Sequence, residues 1–368
     1  MTPGTRHHLN VLYLFSGPHT QADVHACLSA LISEFNGLDA FPFAIDFTLR
    51  EIDLLRSEAM AAHFSKADQG ASAIEGLVNS FNLVFIVPPP STFSRAAFAN
   101  EAGPQPMRDV TCQSGRAGLA PWQAKTVEDA NRIIDFCIQL LAATTVDKAV
   151  TAMIFPEDLG KTRRGTPASI WRWPKLMALS QSGFNRGALY QDVWAHGPSP
   201  MPTGVITNSS HLANDARFHP GWPTFAAGGS YAGPLPPRQL DGAGAQSRSQ
   251  MDGLIAKPAP HSLDFLMQLL ALLLQSWVEL RSGGADAPTL EVGGSVEVRA
   301  PATPTYSERS PSSPAPETST AYSPEITSNV LRRTVAPVAS PSLLFGPLTF
   351  TVRSSSLDTK TSKKSPSG

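Results

Sequence analysis

The sequence is poor in charge and in cysteine, and it has no uninterrupted apolar run long enough for a bilayer. Lys, Arg, Asp and Glu make up 16% of the 368 residues, where about 25% is usual for a soluble domain. The formal net charge is -1, which excludes a chain-wide basic surface; sequence-independent nucleic-acid binding would need a local patch. Three cysteines, Cys27, Cys112 and Cys137, are too few and too scattered for a disulfide framework or a zinc cluster. A reducing, intracellular setting, nuclear or cytoplasmic, is the expectation, and MTPGTRHHLN carries no signal-peptide pattern of the usual form. The most apolar stretch, Leu263 to Leu280, is broken by Asp264, Gln268, Gln275 and Glu279, which argues against a membrane span. His7, His8, His196, His211 and His219 lack metal-ligand spacing, so no metal is expected.

Proline, by contrast, is abundant: 33 residues, against the roughly 5% of average composition. It is concentrated late in the chain. From Pro301 to Gly368, Pro, Ser and Thr supply 35 of 68 residues. Such a stretch has too few large apolar side chains to offset the entropy of ordering. The segment 283–368 reads as a disordered tail, with one apolar patch, Ser342 to Phe350, that reads as a chance cluster rather than a docking motif.

The earlier part alternates strand-like and helix-like patterns, which predicts an α/β fold with a parallel sheet and flanking helices. Residues 1–8 read as a flexible N-terminus, 9–208 as the main domain, 209–258 as a Gly/Pro-rich connection, and 259–282 as a final helix packed on the domain. Val11 to Phe15 is a buried strand, and Ala22 to Phe35 a helix with Val24, Cys27, Leu28, Leu31, Ile32 and Phe35 on one stripe. Phe41 to Phe47 reads as a second strand ending near Asp46, and Leu83 to Val87 as a third, stopped by Pro88-Pro89-Pro90. A helix capped by Thr126 and running through Leu141 precedes a strand from Lys148 to Phe155. Tyr190 to Trp194 and Gly204 to Thr207 are shorter strand candidates.

In a doubly wound sheet a ligand sits beyond the carboxyl ends of the strands. Phe15-Ser16-Gly17 at the first strand exit lets backbone approach a ligand. Asp46 at the second exit suits ribose hydroxyls, and Asp53 suits an adenine amino group. The order points to an adenosine-containing ligand. The most specific string is Val87-Pro88-Pro89-Pro90-Ser91-Thr92-Phe93-Ser94-Arg95-Ala96, followed later by Ile154-Phe155-Pro156-Glu157-Asp158, Tyr190-Gln191-Asp192 and Pro202-Thr203.

This ordered set resembles the S-adenosylmethionine-dependent methyltransferases, in particular the DNA cytosine-5 group, over about residues 9–230. The resemblance implies a Rossmann-like methyltransferase sheet and S-adenosyl-L-methionine as cofactor, held around Phe15, Ser16, Gly17, Asp46, Asp53 and Pro89. It also implies DNA as a partner, with Ser94, Arg95, Arg163 and Arg164 as candidate contacts. Two departures decide the expected activity. The family's nucleophilic Cys falls on Pro90, and its base-binding Glu falls on Ile154. Neither can do covalent or acid–base work. Glu157 and Asp158 after Pro156 read as a helix N-terminal anchor. The expectation is a methyltransferase-like protein without cytosine-5 activity. The alternatives are an active methyltransferase on another acceptor, or a non-catalytic nucleic-acid or protein-binding module.

Overall fold

The computed structural model describes residues 6–15, 24–37, 43–52, 71–98, 105–144, 147–195, 201–237, 263–282, 289–292 and 350–353. The chain divides into two units, 1–292 with 351–368 and 293–350; of the second only Phe350 is among the described residues.

A seven-stranded mixed sheet organises the first unit, in the order β2-β1-β3-β4-β6-β5-β7. Strands β1 (Arg6–Leu14), β2 (Ala44–Ile52), β3 (Leu83–Ile86) and β4 (Val150–Pro156) are mutually parallel. Strand β6 (Pro202–Thr207) runs against both β4 and β5 (Asn185–Tyr190). Strand β7 (His219–Pro220) runs against β5 at the far edge. All four residues of β3 are buried, as are Val150 to Phe155 of β4. A parallel strand covered on both faces has no wet side, so it reads as a continuous apolar run.

Alternate residues sort onto the two faces. Leu12, Leu14, Val84, Ile86, Met153 and Phe155 join one apolar cluster with helices α2 (Ala71–Val78) and α3 (Pro121–Ala143). Helix α1 (Val24–Gly37) buries Val24, Cys27, Leu28, Leu31, Ile32 and Phe35, the stripe expected from its spacing. Short helices α4 (Pro174–Ala178), α5 (Gln191–Ala195) and α6 (Ser210–Ala213) fill connections. The last long helix, α7 (Leu263–Arg281), packs on α1, α5, α6, β3 and β4.

Several boundaries differ from expectation. Strand β2 runs over 44–52 rather than 41–47, because its alternating exposed residues carry no continuous apolar signal. Helix α3 begins at Pro121, five residues before Thr126; the Gln123 side chain accepts from the Ala120 N–H, and a proline at the first position costs no hydrogen bond. Tyr190 ends a strand and 191–195 is helical. Residues 209–237, expected to be a loose connection, are built into the domain. They supply α6, β7 and the hairpin strands β8 (Thr224–Phe225) and β9 (Tyr231–Gly233). Residues 238–258, and the expected flexible start at 1–5, lie outside the described residues. So does the expected tail, apart from two short strands, Thr289–Val292 and Phe350–Arg353, which form a separate two-stranded sheet.

Candidate functional site

The sheet order reverses between β1 and β3. From β1 the chain crosses to β2 on one side, and the next strand, β3, pairs on the other. The crevice beyond the carboxyl ends of β1 and β3 is therefore the switch point at which such sheets bind ligands. Phe15 leaves β1 in the left-handed region, with φ 65°. A bulky residue there costs about 1–3 kcal/mol and persists only where the surroundings enforce it. Two contacts do so: the Phe15 N–H donates to the Ile52 carbonyl at 2.8 Å, and the ring is buried among the core residues. Phe15 is thus held by a backbone bond and by the burial of its ring. Ser16 and Gly17 lie outside the described residues.

At the second exit, Val87 donates to the Leu14 carbonyl at 3.3 Å, and Pro88 is buried while Pro89 and Pro90 are half-buried. Pro90 has a backbone role: its carbonyl accepts from the Phe93 N–H at 2.7 Å and opens the single 3₁₀ turn Ser91–Phe93. Three consecutive prolines keep the exit extended and remove every donor from it.

The carboxylates fall differently from expectation. Asp46 is near the start of β2, opposite His8, six residues short of Ile52 and its partner Leu14. At about 3.3 Å per residue that is roughly 20 Å from the strand exit. Asp46 is solvent-exposed and pairs with Arg6 at 3.4 Å, so it cannot be a ribose contact at the switch point. The acid that reaches this end of β2 is Glu51, half-buried and in register with Tyr13. Asp53 lies outside the described residues.

Ile154 is 1% exposed and faces Val205 across the ladder. This position thus carries a core side chain. Next to it Phe155 stacks edge-on against Phe93 at 5.9 Å, and Phe93 meets Trp173 at the same distance. A small cavity of about 30 Å³ opens here, lined by Phe93, Arg95, Phe155, Glu157, Asp158 and Ser169 among others. It has room for about two waters. Cys112 is not among its lining residues; it sits in a turn whose N–H donates to Asp109.

Glu157 and Asp158 do not anchor a helix. An irregular loop follows them, and both are buried and engaged. Glu157 accepts from the Arg186 guanidinium through Oε2 and from the Tyr231 hydroxyl through Oε1 at 3.2 Å. Burial pushes its carboxyl up to about 7 against the pull of Arg186, and burial lowers Arg186 in turn. Arg186 also donates to the Gly221 carbonyl at 2.6 Å and lies over the rings of Trp171 and Trp222. Gly204 makes room for this cluster: a Cβ there would come within 2.6 Å of the Trp171 ring and 2.7 Å of the Glu157 carboxylate. Asp158 accepts from the Gly160 N–H at 2.9 Å and from Arg172 Nε at 2.6 Å.

The basic candidates are largely committed to the protein itself. Arg95 donates to the carbonyls of Gly160 and Lys161 at 2.8 and 3.3 Å, and Arg164 donates to Ala97 at 3.4 Å. These bonds tie the 3₁₀ segment Arg95–Phe98 to the 160–164 loop. Ser94 is half-buried beside it, and Arg163 is exposed. Trp171 is a packing residue, with its Nε1 donating to the Pro156 carbonyl at 2.8 Å. Among the described residues no group of three His, Cys, Asp or Glu could hold a metal, and no helix is long and apolar enough to cross a membrane.

Reasoning from sequence missed Arg108, Arg186, Tyr231 and Glu51. The first three are joined to their partners by long-range folding that no local spacing announces. Glu51 stands beside Asp53 in the sequence, but the expected strand ends at Phe47, five residues short of the observed end at Ile52. Comparison with family models, curated proteins and solved structures finds no match to this chain.

Proposed function

We propose that the chain is a degenerate relative of the S-adenosylmethionine-dependent methyltransferases of the DNA cytosine-5 type, with a strand-end pocket for the cofactor and without cytosine-5 chemistry. The observation that carries this reading is Phe15. A bulky residue held at φ 65° marks the exit of β1 at the switch point, with Glu51 at the end of the neighbouring strand. Strained backbone of this kind clusters at ligand sites. The residues fit an adenosine-containing group in one respect: the Glu51 carboxylate, at the end of the neighbouring strand, can accept from its hydroxyls. A parallel doubly wound core of β1 to β4, continued by a mixed edge in which β6 and β7 are reversed, also agrees with a Rossmann-like sheet.

S-adenosylmethionine, when bound, supplies an electrophilic methyl group. Neither of the two positions expected to act on it does so here: the Pro90 carbonyl is engaged in a turn and Ile154 is core. The acid nearest that strand end, Glu157, is already held by Arg186 and Tyr231. A restored Ile154→Glu would bury a carboxylate in the sheet, at a cost of several kcal/mol, so a revived-activity assay reports folding before chemistry. The direct test is calorimetric titration of the full chain with S-adenosylmethionine. Saturable binding is expected, weakened about tenfold by Glu51→Ala, together with no transfer of labelled methyl groups to DNA. Absence of heat at about millimolar ligand sinks the cofactor reading, and methylated DNA sinks the degenerate one.

A further inference from the structure

We infer that strand β2 is a self-complementary edge through which two copies of this chain pair. The inference does not rest on the methyltransferase reading. Strand β2 is the outermost strand of the main sheet, nine residues long, with no strand on its outer side among the described residues. A long edge is a template for another strand, and proteins that avoid pairing interrupt such edges with proline, lysine or a bulge. AIDFTLREI contains no Pro, Gly or Lys, and its register with β1 runs unbroken from Ala44 to Ile52.

The charges identify the occupant. Asp46, Thr48 and Arg50 are exposed on one face of the strand. They are spaced symmetrically about Thr48. If a second copy of β2 adds antiparallel with the twofold axis at Thr48, Asp46 of each copy faces Arg50 of the other, and Thr48 faces Thr48. Directly opposed residues of an antiparallel pair lie on the same face, within reach of one another. On the opposite face the same register sets Phe47 against Leu49, both half-buried in the single chain, and thus covers apolar surface. Moving the twofold axis two residues along the strand, to Asp46 or to Arg50, would set that charge against its own copy. Asp46 already accepts from Arg6, and Thr48 from or to His8 at 2.9 Å, so the exposed face is held in order before a partner arrives. A twofold, isologous contact is the commonest way for a homodimer to close.

Sedimentation velocity on the full chain and its charge variants tests this. The wild type is expected to dimerise at tens of micromolar. Asp46→Arg or Arg50→Asp alone, each setting like charges opposite at two symmetric places, is expected to weaken dimerisation about tenfold or more. The double variant Asp46→Arg, Arg50→Asp restores the opposed pairs and is expected to restore the dimer. All three positions are exposed, and unchanged circular dichroism and melting would exclude misfolding. As a second readout, Thr48→Cys in a Cys112→Ser background is expected to form an intermolecular disulfide under mild oxidation, since opposed Cα atoms lie within disulfide range. A monomeric wild type, a dimer indifferent to the single changes, a double variant that stays monomeric, or no cross-link at position 48 overturns the inference.

Discussion

Glu157 gives up water for one guanidinium and one phenol. Its side chain is 0% exposed and that of Arg186 is 1% exposed. Removing both ions from water costs more than their mutual attraction returns, so burial disfavours the charged form of Glu157. The protonation of Glu157 is therefore a stability variable. Its carboxyl is raised by burial from 4.5 to about 7, so the folded chain holds the proton more tightly than the unfolded chain. Its contribution is complete below about pH 4.5 and is lost as pH rises through about 7. Asp109 works in the other window. Burial pushes it up, but hydrogen bonds from Thr111, Arg116 and Cys112 outweigh that and hold it at about 2, below its ordinary 3.8. Its contribution is present above pH 3.8 and lost as pH falls through 2. Glu157→Gln keeps the shape and an acceptor for Arg186 but cannot titrate. In urea unfolding between pH 4 and 8, the wild type should lose roughly 3 kcal/mol relative to this variant as pH rises. Parallel curves would mean that Arg186 keeps Glu157 ionised throughout that range.

At the scale of elements, the loop 105–120 shows how an irregular segment is fixed. Arg108 is 0% exposed. Its Nη1 donates to the Gln113 carbonyl at 2.8 Å and to Asn131 Oδ1 at 2.7 Å, its Nη2 donates to the Val127 carbonyl at 3.1 Å, and its guanidinium lies 3.9 Å over Phe93. One planar fork thus joins the loop, helix α3 and the turn after β3. Burial lowers Arg108 to about 10, still charged at neutral pH. A lysine has one point donor group and cannot span these acceptors. Arg108→Lys should therefore lower stability by about 2–4 kcal/mol and speed proteolytic cleavage within 105–116; an unchanged melt would show that the loop is held by its other bonds. Elements of this kind were only partly legible. Strands β1, β3 and β4 announce themselves because both faces are buried, and α1 because its six core residues keep helical spacing. Strand β2 was misplaced because an edge strand alternates, and Thr48-Leu-Arg50 carries no apolar run. That single boundary put Asp46 at the wrong end of the sheet and hid Glu51. Arg108 and Arg186 were illegible for another reason: their acceptors are mostly backbone carbonyls or distant residues, which any sequence supplies.

For the whole molecule the controlling element is the last long helix. Helix α7 comes after the sheet in the chain, yet Phe265, Leu269, Leu270, Ala271, Leu273, Leu274 and Trp277 are all 0% exposed. It covers β3, whose exit borders the switch point, and β4, whose exit borders the Phe155 cavity. Polar contacts fix its position: Ser276 shares a hydrogen bond with Ser209 at 2.7 Å, Glu279 accepts from Ser210 at 3.0 Å, and Gln268 donates to the Trp194 carbonyl. The segment after β6 is thereby pinned to the helix, so the two ends of the domain depend on each other. The six large side chains among them contribute about 1.5–3 kcal/mol each when buried, together as much as the 5–15 kcal/mol that separates a typical folded domain from its unfolded chain. A chain truncated at residue 258 should therefore show no cooperative unfolding transition. Trp277→Ala should retain one but lose about 3–5 kcal/mol. Calorimetry of the two variants beside the full chain measures both. A cooperative melt in the truncated chain would mean that the sheet and helices α1 to α3 form a sufficient core without α7, and that the pocket at the strand exits does not depend on it.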